Sequence, residues 1–164
     1  MQNLQGLLEI LVKSPLDFVI VGGFAAVLHG CNQTTRDVDI CLVLSPEQVL
    51  LLRQILKPLH PKHRMTSEKL SFLVHPEDVS TIKNLYLETD LGVLDVVSHI
   101  EGVGDFYDVL KNASQIEMYG GQCYLISIND LIKSKKALGR HRDLAVVDEL
   151  EVIKSESSQG ISEK

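Results

Sequence analysis

Val19-Ile-Val-Gly-Gly-Phe-Ala-Ala-Val-Leu-His-Gly30 and, after a short gap, Thr34-Thr-Arg-Asp-Val-Asp-Ile40 decide the fold. Phe18 to Val21 is apolar and rich in β-branched residues, which favours a strand. Gly22 and Gly23 break it, and Phe24 to His29 suits a helix closed by Gly30. From Thr34 to Leu44 the period changes to two. Thr35, Asp37, Asp39 and Cys41 then face one way, and Arg36, Val38, Ile40 and Leu42 the other.

Outward from this unit, Leu4 to Lys13 has apolar positions three and four apart, predicting an opening helix that stops near Ser14-Pro15. Ser45-Pro-Glu-Gln48 combines an N-cap, a proline at the first helical position and an acidic first turn, so a helix is expected through Leu56. Residues 58 to 69 lack periodicity and read as a loop, whereas Leu70 to His75 reads as a strand. Two further strands are expected near 83 to 88 and 93 to 98, around Asp90-Leu-Gly92. Gly102 to Asn112 reads as a short helix or a lid, and Gln115 to Tyr124 as two strands broken at Gly120-Gly121. Ser127 opens a last helical region, interrupted at Gly139 and running to about Ile153. Short strands interleaved with helices predict an α+β domain over residues 1 to 154, with a mixed, mostly antiparallel sheet flanked by helices. The polar stretch 155 to 164 is expected to be a disordered tail.

Asp37 and Asp39, two apart on one strand face, have side-chain roots about 6.5 to 7 Å apart, within reach of one cation or a pair. The strand is otherwise apolar, so neighbouring anions there require positive charge nearby. Asp95 interrupts another core strand, Val93-Leu-Asp-Val-Val97, in the same way. Three carboxylates with water and phosphate oxygens suit a hard ion such as Mg²⁺, with Mn²⁺ as a substitute. On its own, Asp95 would equally pair with Arg36 or cap a turn. Gly22-Gly23 permits close approach of a phosphate to the backbone, but also fits a plain tight turn. It is neither a Walker A loop nor a Gly-x-Gly-x-x-Gly turn.

A formal charge of −6 on 164 residues argues against nonspecific coating of nucleic acid. Even so, Lys133, Lys135, Lys136, Arg140 and Arg142 crowd one short stretch, either as a phosphate-attracting patch or as a solvated helix face. Cys31, Cys41 and Cys123 form no CxxC pair and suit a reducing compartment. No run approaches the roughly 20 apolar residues of a membrane span, so a cytoplasmic protein without membrane association is expected. The six histidines lack close zinc-ligand spacing.

The glycine pair opening a helix, the Asp37-Val-Asp39 strand and the later Leu94-Asp95 resemble the DNA polymerase β-like nucleotidyltransferase superfamily. That resemblance implies that Gly22 and Gly23 hold a triphosphate, with Thr35 and Arg36 beside them in the nucleotide site. It further implies that Asp37 and Asp39 bind metal, and that Asp95 binds the catalytic metal and helps deprotonate the attacking hydroxyl. Phe24 stands where many members carry serine, removing one phosphate hydrogen bond. Ile128 to Leu150 looks like the closing helices of stand-alone bacterial enzymes related to AbiEii and other toxin–antitoxin nucleotidyltransferases. By that likeness Lys133 or Lys136 and the Arg142-Asp143 pair contact phosphates. The function implied is transfer of a nucleoside monophosphate from a triphosphate such as ATP to a hydroxyl of RNA, protein or a small molecule, with a cognate toxin–antitoxin partner. The alternative is a nucleotide- or partner-binding protein on the same scaffold with little turnover.

Overall fold

A computed structural model of the chain describes residues 2–162, with side chains followed as far as residue 158. In chain order the elements are α1 (Leu4–Val12), β1 (Val19–Val21), α2 (Gly22–Leu28), β2 (Asp37–Cys41), α3 (Pro46–Leu56), β3 (Lys62–His63), β4 (Asn84–Thr89), β5 (Gly92–Val97), β6 (His99–Ile100), β7 (Gly104–Asp105), α4 (Phe106–Asn112), β8 (Ser114–Met118), β9 (Gly121–Leu125), α5 (Ile128–Leu138) and α6 (His141–Ser162). Seven strands form one sheet in the order β3-β4-β5-β2-β1-β9-β8, and β6 and β7 form a small separate ribbon. The β2–β5 and β1–β9 pairs are parallel, and the other pairings are antiparallel. The domain is thus α+β, with a mixed, mostly antiparallel sheet.

Alternation sorts the central strands. Val38, Ile40, Leu94 and Val96 are fully buried on one face, while Asp37, Asp39 and Asp95 occupy the other, where burial is only partial. Leu4 of α1 lies against Gly92, which shares the face of Leu94 and Val96, so α1 covers the side of the sheet opposite the carboxylates. Leu7, Leu8 and Leu11 of that helix are completely buried, and burying each such side chain contributes about 2 kcal/mol. Helix α3 begins as its sequence dictates, with Ser45 Oγ accepting from the Gln48 amide at 3.3 Å and Pro46 at the first position. Helix α5 starts the same way, from Ser127 to the Asp130 amide at 3.0 Å, and ends on Gly139 at φ +68°.

Leu70 to His75 is not the expected strand. Beyond an isolated bridge between Ser71 and Lys62, the segment turns. Its apolar content serves to seat Phe72, which is fully buried edge-on to His63 with Arg53 5.2 Å above its ring. One anchored aromatic satisfies the burial that the pattern suggested for a whole strand. The expected loop before it contributes β3, which pairs with β4 through Lys62↔Glu88 and His63↔Leu87. Gly102 to Asn112 holds β7, the second strand of the short ribbon, and then helix α4, opened by a capping box between Asp105 and Asp108. Helix α6 continues to Ser162, through most of the stretch expected as a tail, because nothing before Gly160 breaks a helix already nucleated. Residues 163 and 164, the end of that expected tail, lie outside the described residues.

Candidate functional site

The parallel pairing of β2 with β5 sets Asp39 directly beside Asp95, with Asp37 beside Val93. The three carboxylates expected to converge therefore share one sheet face at the centre of the molecule. They line a cavity of about 470 Å³ together with Gly23, Thr35, Arg36, Arg64, Lys135, Arg140, Arg142 and Asp143.

Asp39 is the most perturbed of the three. Burial, then the charge of Asp95, then that of Asp37, push its carboxyl up to about 7; Lys135 and the Gly23 backbone amide pull the other way. The turn is shaped around this group. Gly22 stands at φ +68°, and a Cβ there would collide with the Asp39 carboxyl, so both the backbone conformation and the space require glycine. The space that a side chain at Gly22 would need is taken by the second aspartate of the strand. Gly23, unlike Gly22, lines the cavity, and its carbonyl accepts from Gln33 Nε2 at 3.1 Å.

Asp95 is held by a residue that the sequence did not single out. Arg64 donates to both of its oxygens, from Nη2 at 2.8 and 2.9 Å and from Nε at 3.2 Å. The guanidinium also lies 5.4 Å above the Tyr86 ring. Burial raises Asp95 above the ordinary carboxylate value, with Asp37 adding to it, while the fork from Arg64 opposes the rise without cancelling it. The alternative partner, Arg36, makes no ion pair among the described residues, and neither does Arg142. Both are exposed and line the cavity, leaving two guanidiniums available for an anionic ligand.

The basic run at the end of the chain splits by helical phase. Lys135 lies four residues after buried Leu131 and three after buried Ile132, so it projects inward, and its side chain is only 12% exposed. Lys133 and Lys136 point elsewhere, pairing with Asp130 at 3.8 Å and Glu151 at 3.6 Å, and neither lines the cavity. Asp143 fixes the inward group. Its buried carboxylate accepts from Arg140 at 2.5 and 3.2 Å and from Lys135 at 3.5 Å. Burial alone would raise Asp143, but Arg140 and Lys135 outweigh it and hold the carboxyl below its usual range. A basic residue falling within the apolar stripe of α5 was the signal for Lys135; no comparable signal existed for Arg64.

Three carboxylates on paired strands are donors of the kind a hard divalent ion takes, and burial together with the charges of Asp95 and Asp37 drives Asp39 towards the neutral form. As placed, no three His, Cys, Asp or Glu side chains among the described residues close around a single point, and both oxygens of Asp95 are engaged by Arg64. Cys41 is fully buried, with its thiol pushed up to about 12 by burial and then by Asp105, so it serves as a packed hydrophobe. Among the described residues no helix is long and apolar enough to cross a membrane.

A solved structure of a candidate nucleotidyltransferase from Thermotoga maritima aligns with the chain at 17% identity and a TM-score of 0.48, covering 95% of this chain and 91% of that one. No curated protein matches. A family model described as "Nucleotidyltransferase of unknown function (DUF6036)" matches residues 2–161. The chain belongs to that family and so to the nucleotidyltransferase-like superfamily.

Proposed function

We propose that the protein transfers a nucleoside monophosphate from a nucleoside triphosphate to a hydroxyl, releasing pyrophosphate. The observation that carries this reading is that Asp37, Asp39 and Asp95 share one sheet face beside a cavity lined by five basic side chains. Asp37, Asp39 and Asp95 are the residues that would hold Mg²⁺, or Mn²⁺ in its place; that ion would neutralise phosphate charge and align an in-line displacement. The chain's own contribution is positioning. Arg36 and Arg142 attract the triphosphate, Lys135 is aimed inward by Asp143, and Gly22 leaves room for Asp39. Asp95 is the carboxylate that would take the acceptor's proton, and the Arg64 fork governs when its oxygens are free.

An assay of label transfer from α-labelled triphosphates with Mg²⁺ tests this directly. Asp39→Asn should reduce transfer to near background with the fold intact; a rate near that of the parent would refute the mechanism. The Arg64 fork favours one second reading, a nucleotide-binding protein with little turnover. Calorimetric binding of ATP, GTP, CTP or UTP without any transferred product would select it. Kinship with AbiEii-type enzymes, with a toxin–antitoxin partner and a cytoplasmic setting, is a finer proposal. It rests on the closing helices, where Asp143 follows Arg142 and gathers Arg140 and Lys135.

A further inference from the structure

Two of the three carboxylates, Asp39 and Asp95, line a second cavity as well. The basic cavity already described shares Gly23, Asp39, Asp95, Lys135 and Arg140 with this second one, of about 390 Å³. Beyond the shared lining the two differ in character. The first adds Arg36, Arg64 and Arg142. The second adds Tyr86, Val97, Leu138, Ser134, His99 and Glu101 among its own lining, and no lysine or arginine belongs to it alone. Tyr86, with Arg64 over one part of its ring, is 37% exposed and Leu138 46% exposed, two large side chains only partly covered on the same cavity.

Building on the transferase reading above, we infer that this second cavity receives the acceptor, and that the acceptor is a small, uncharged or cationic hydroxyl compound with one apolar face. In-line displacement requires the attacking oxygen and the departing pyrophosphate on opposite sides of the transferred phosphorus, so acceptor and triphosphate need separate places beside the carboxylates, and two cavities both reach Asp39 and Asp95. The triphosphate, a polyanion, belongs on the side of the three additional guanidiniums. In the second cavity an RNA end would bring its own phosphates close behind the attacking hydroxyl, into a chamber whose one additional full charge is the carboxylate of Glu101. Tyr86 and Leu138 instead suit a ring or aliphatic face, and the volume is that of a small-molecule site. In the step itself the acceptor oxygen bonds to the α-phosphorus. The bond from that phosphorus to the bridging oxygen breaks, pyrophosphate leaves, and the hydroxyl proton passes to the Asp95 carboxylate.

The test is to incubate the full-length protein, Mg²⁺ and α-labelled triphosphates separately with four acceptor pools: total RNA, total protein, and the anion-exchange flow-through and retained fractions of a low-molecular-weight cell extract. Label is expected in a product made from the flow-through pool. Leu138→Lys, at an exposed position, should raise KM for that pool about tenfold, with KM for the triphosphate unchanged. Label appearing instead on RNA, on protein or in the retained anionic pool would overturn this assignment and leave the transferase reading standing. So would a Leu138→Lys enzyme indistinguishable from its parent. Label in no pool would overturn both.

Discussion

Replacing Asp39 with asparagine should stabilise the protein while removing its activity. The Asp39 carboxyl is pushed from 3.8 to about 7 by burial and by the charges of Asp95 and Asp37, which corresponds to a ceiling of about 4 kcal/mol against the charged form. Asparagine removes that penalty but also forfeits the attraction of Lys135 and the Gly23 amide, and solvent reaches part of the group. About 2 kcal/mol is therefore the expected gain, or about 4 to 8 °C in Tm for a chain of this size. The sign follows from the raised value. Below 3.8 the carboxyl is protonated folded or unfolded, and parent and variant match. Between 3.8 and 7 the parent loses ground as pH rises, and above 7 the full difference is present. Thermal melts of both proteins without divalent ions, from about pH 4 to about pH 8, check this. Adding Mg²⁺ at the alkaline end should narrow the gap by stabilising the parent alone. An Asp39→Asn variant less stable than its parent at that end, or a difference that ignores pH, would show that the Asp39 carboxyl is not raised by burial and its neighbours.

Three further outcomes are expected. Lys135→Met should raise KM for the triphosphate about tenfold or more, while Lys133→Met and Lys136→Met stay within about twofold of the parent, as steady-state transfer kinetics would show. Asp143→Asn should cost about 3 kcal/mol at neutral pH, because it leaves Lys135 and Arg140 without the carboxylate that gathers them. Since that carboxyl is held below its usual range, the deficit should disappear as pH falls through it, in urea denaturation run at several pH values. Gly22→Ala should destabilise by about 2 kcal/mol or more, from its positive φ and the collision with Asp39, read as a lower urea midpoint at unchanged slope.

Much of the site was legible because strand alternation is a local property. Asp37 and Asp39 share a face by alternation alone, and Asp95, interrupting another apolar strand, suggested a third member; the pairing of β2 with β5 then sets Asp39 beside Asp95. Arg64 was not legible. It lies in a segment without periodicity and reaches Asp95 only because β3 pairs with β4 and β4 with β5, a long-range arrangement that no local pattern encodes. Lys135 lay between the two cases. The basic run was visible, but choosing among its members depends on helical phase, and the buried Leu131 and Ile132 fixed that phase on Lys135. Leu70 to His75 misled because an apolar run of that length fits a strand equally well. Here one buried Phe72 accounts for the pattern within a turn.

An anomalous difference map from a crystal soaked in Mn²⁺ and a nonhydrolysable triphosphate is the most direct measurement. A peak is expected about 2.2 Å from oxygens of Asp37, Asp39 and Asp95 together, with Asp95 drawn at least partly out of the Arg64 fork. A map with no peak among these three carboxylates, and the Arg64 to Asp95 pair unchanged beside a bound triphosphate, would contradict that expectation.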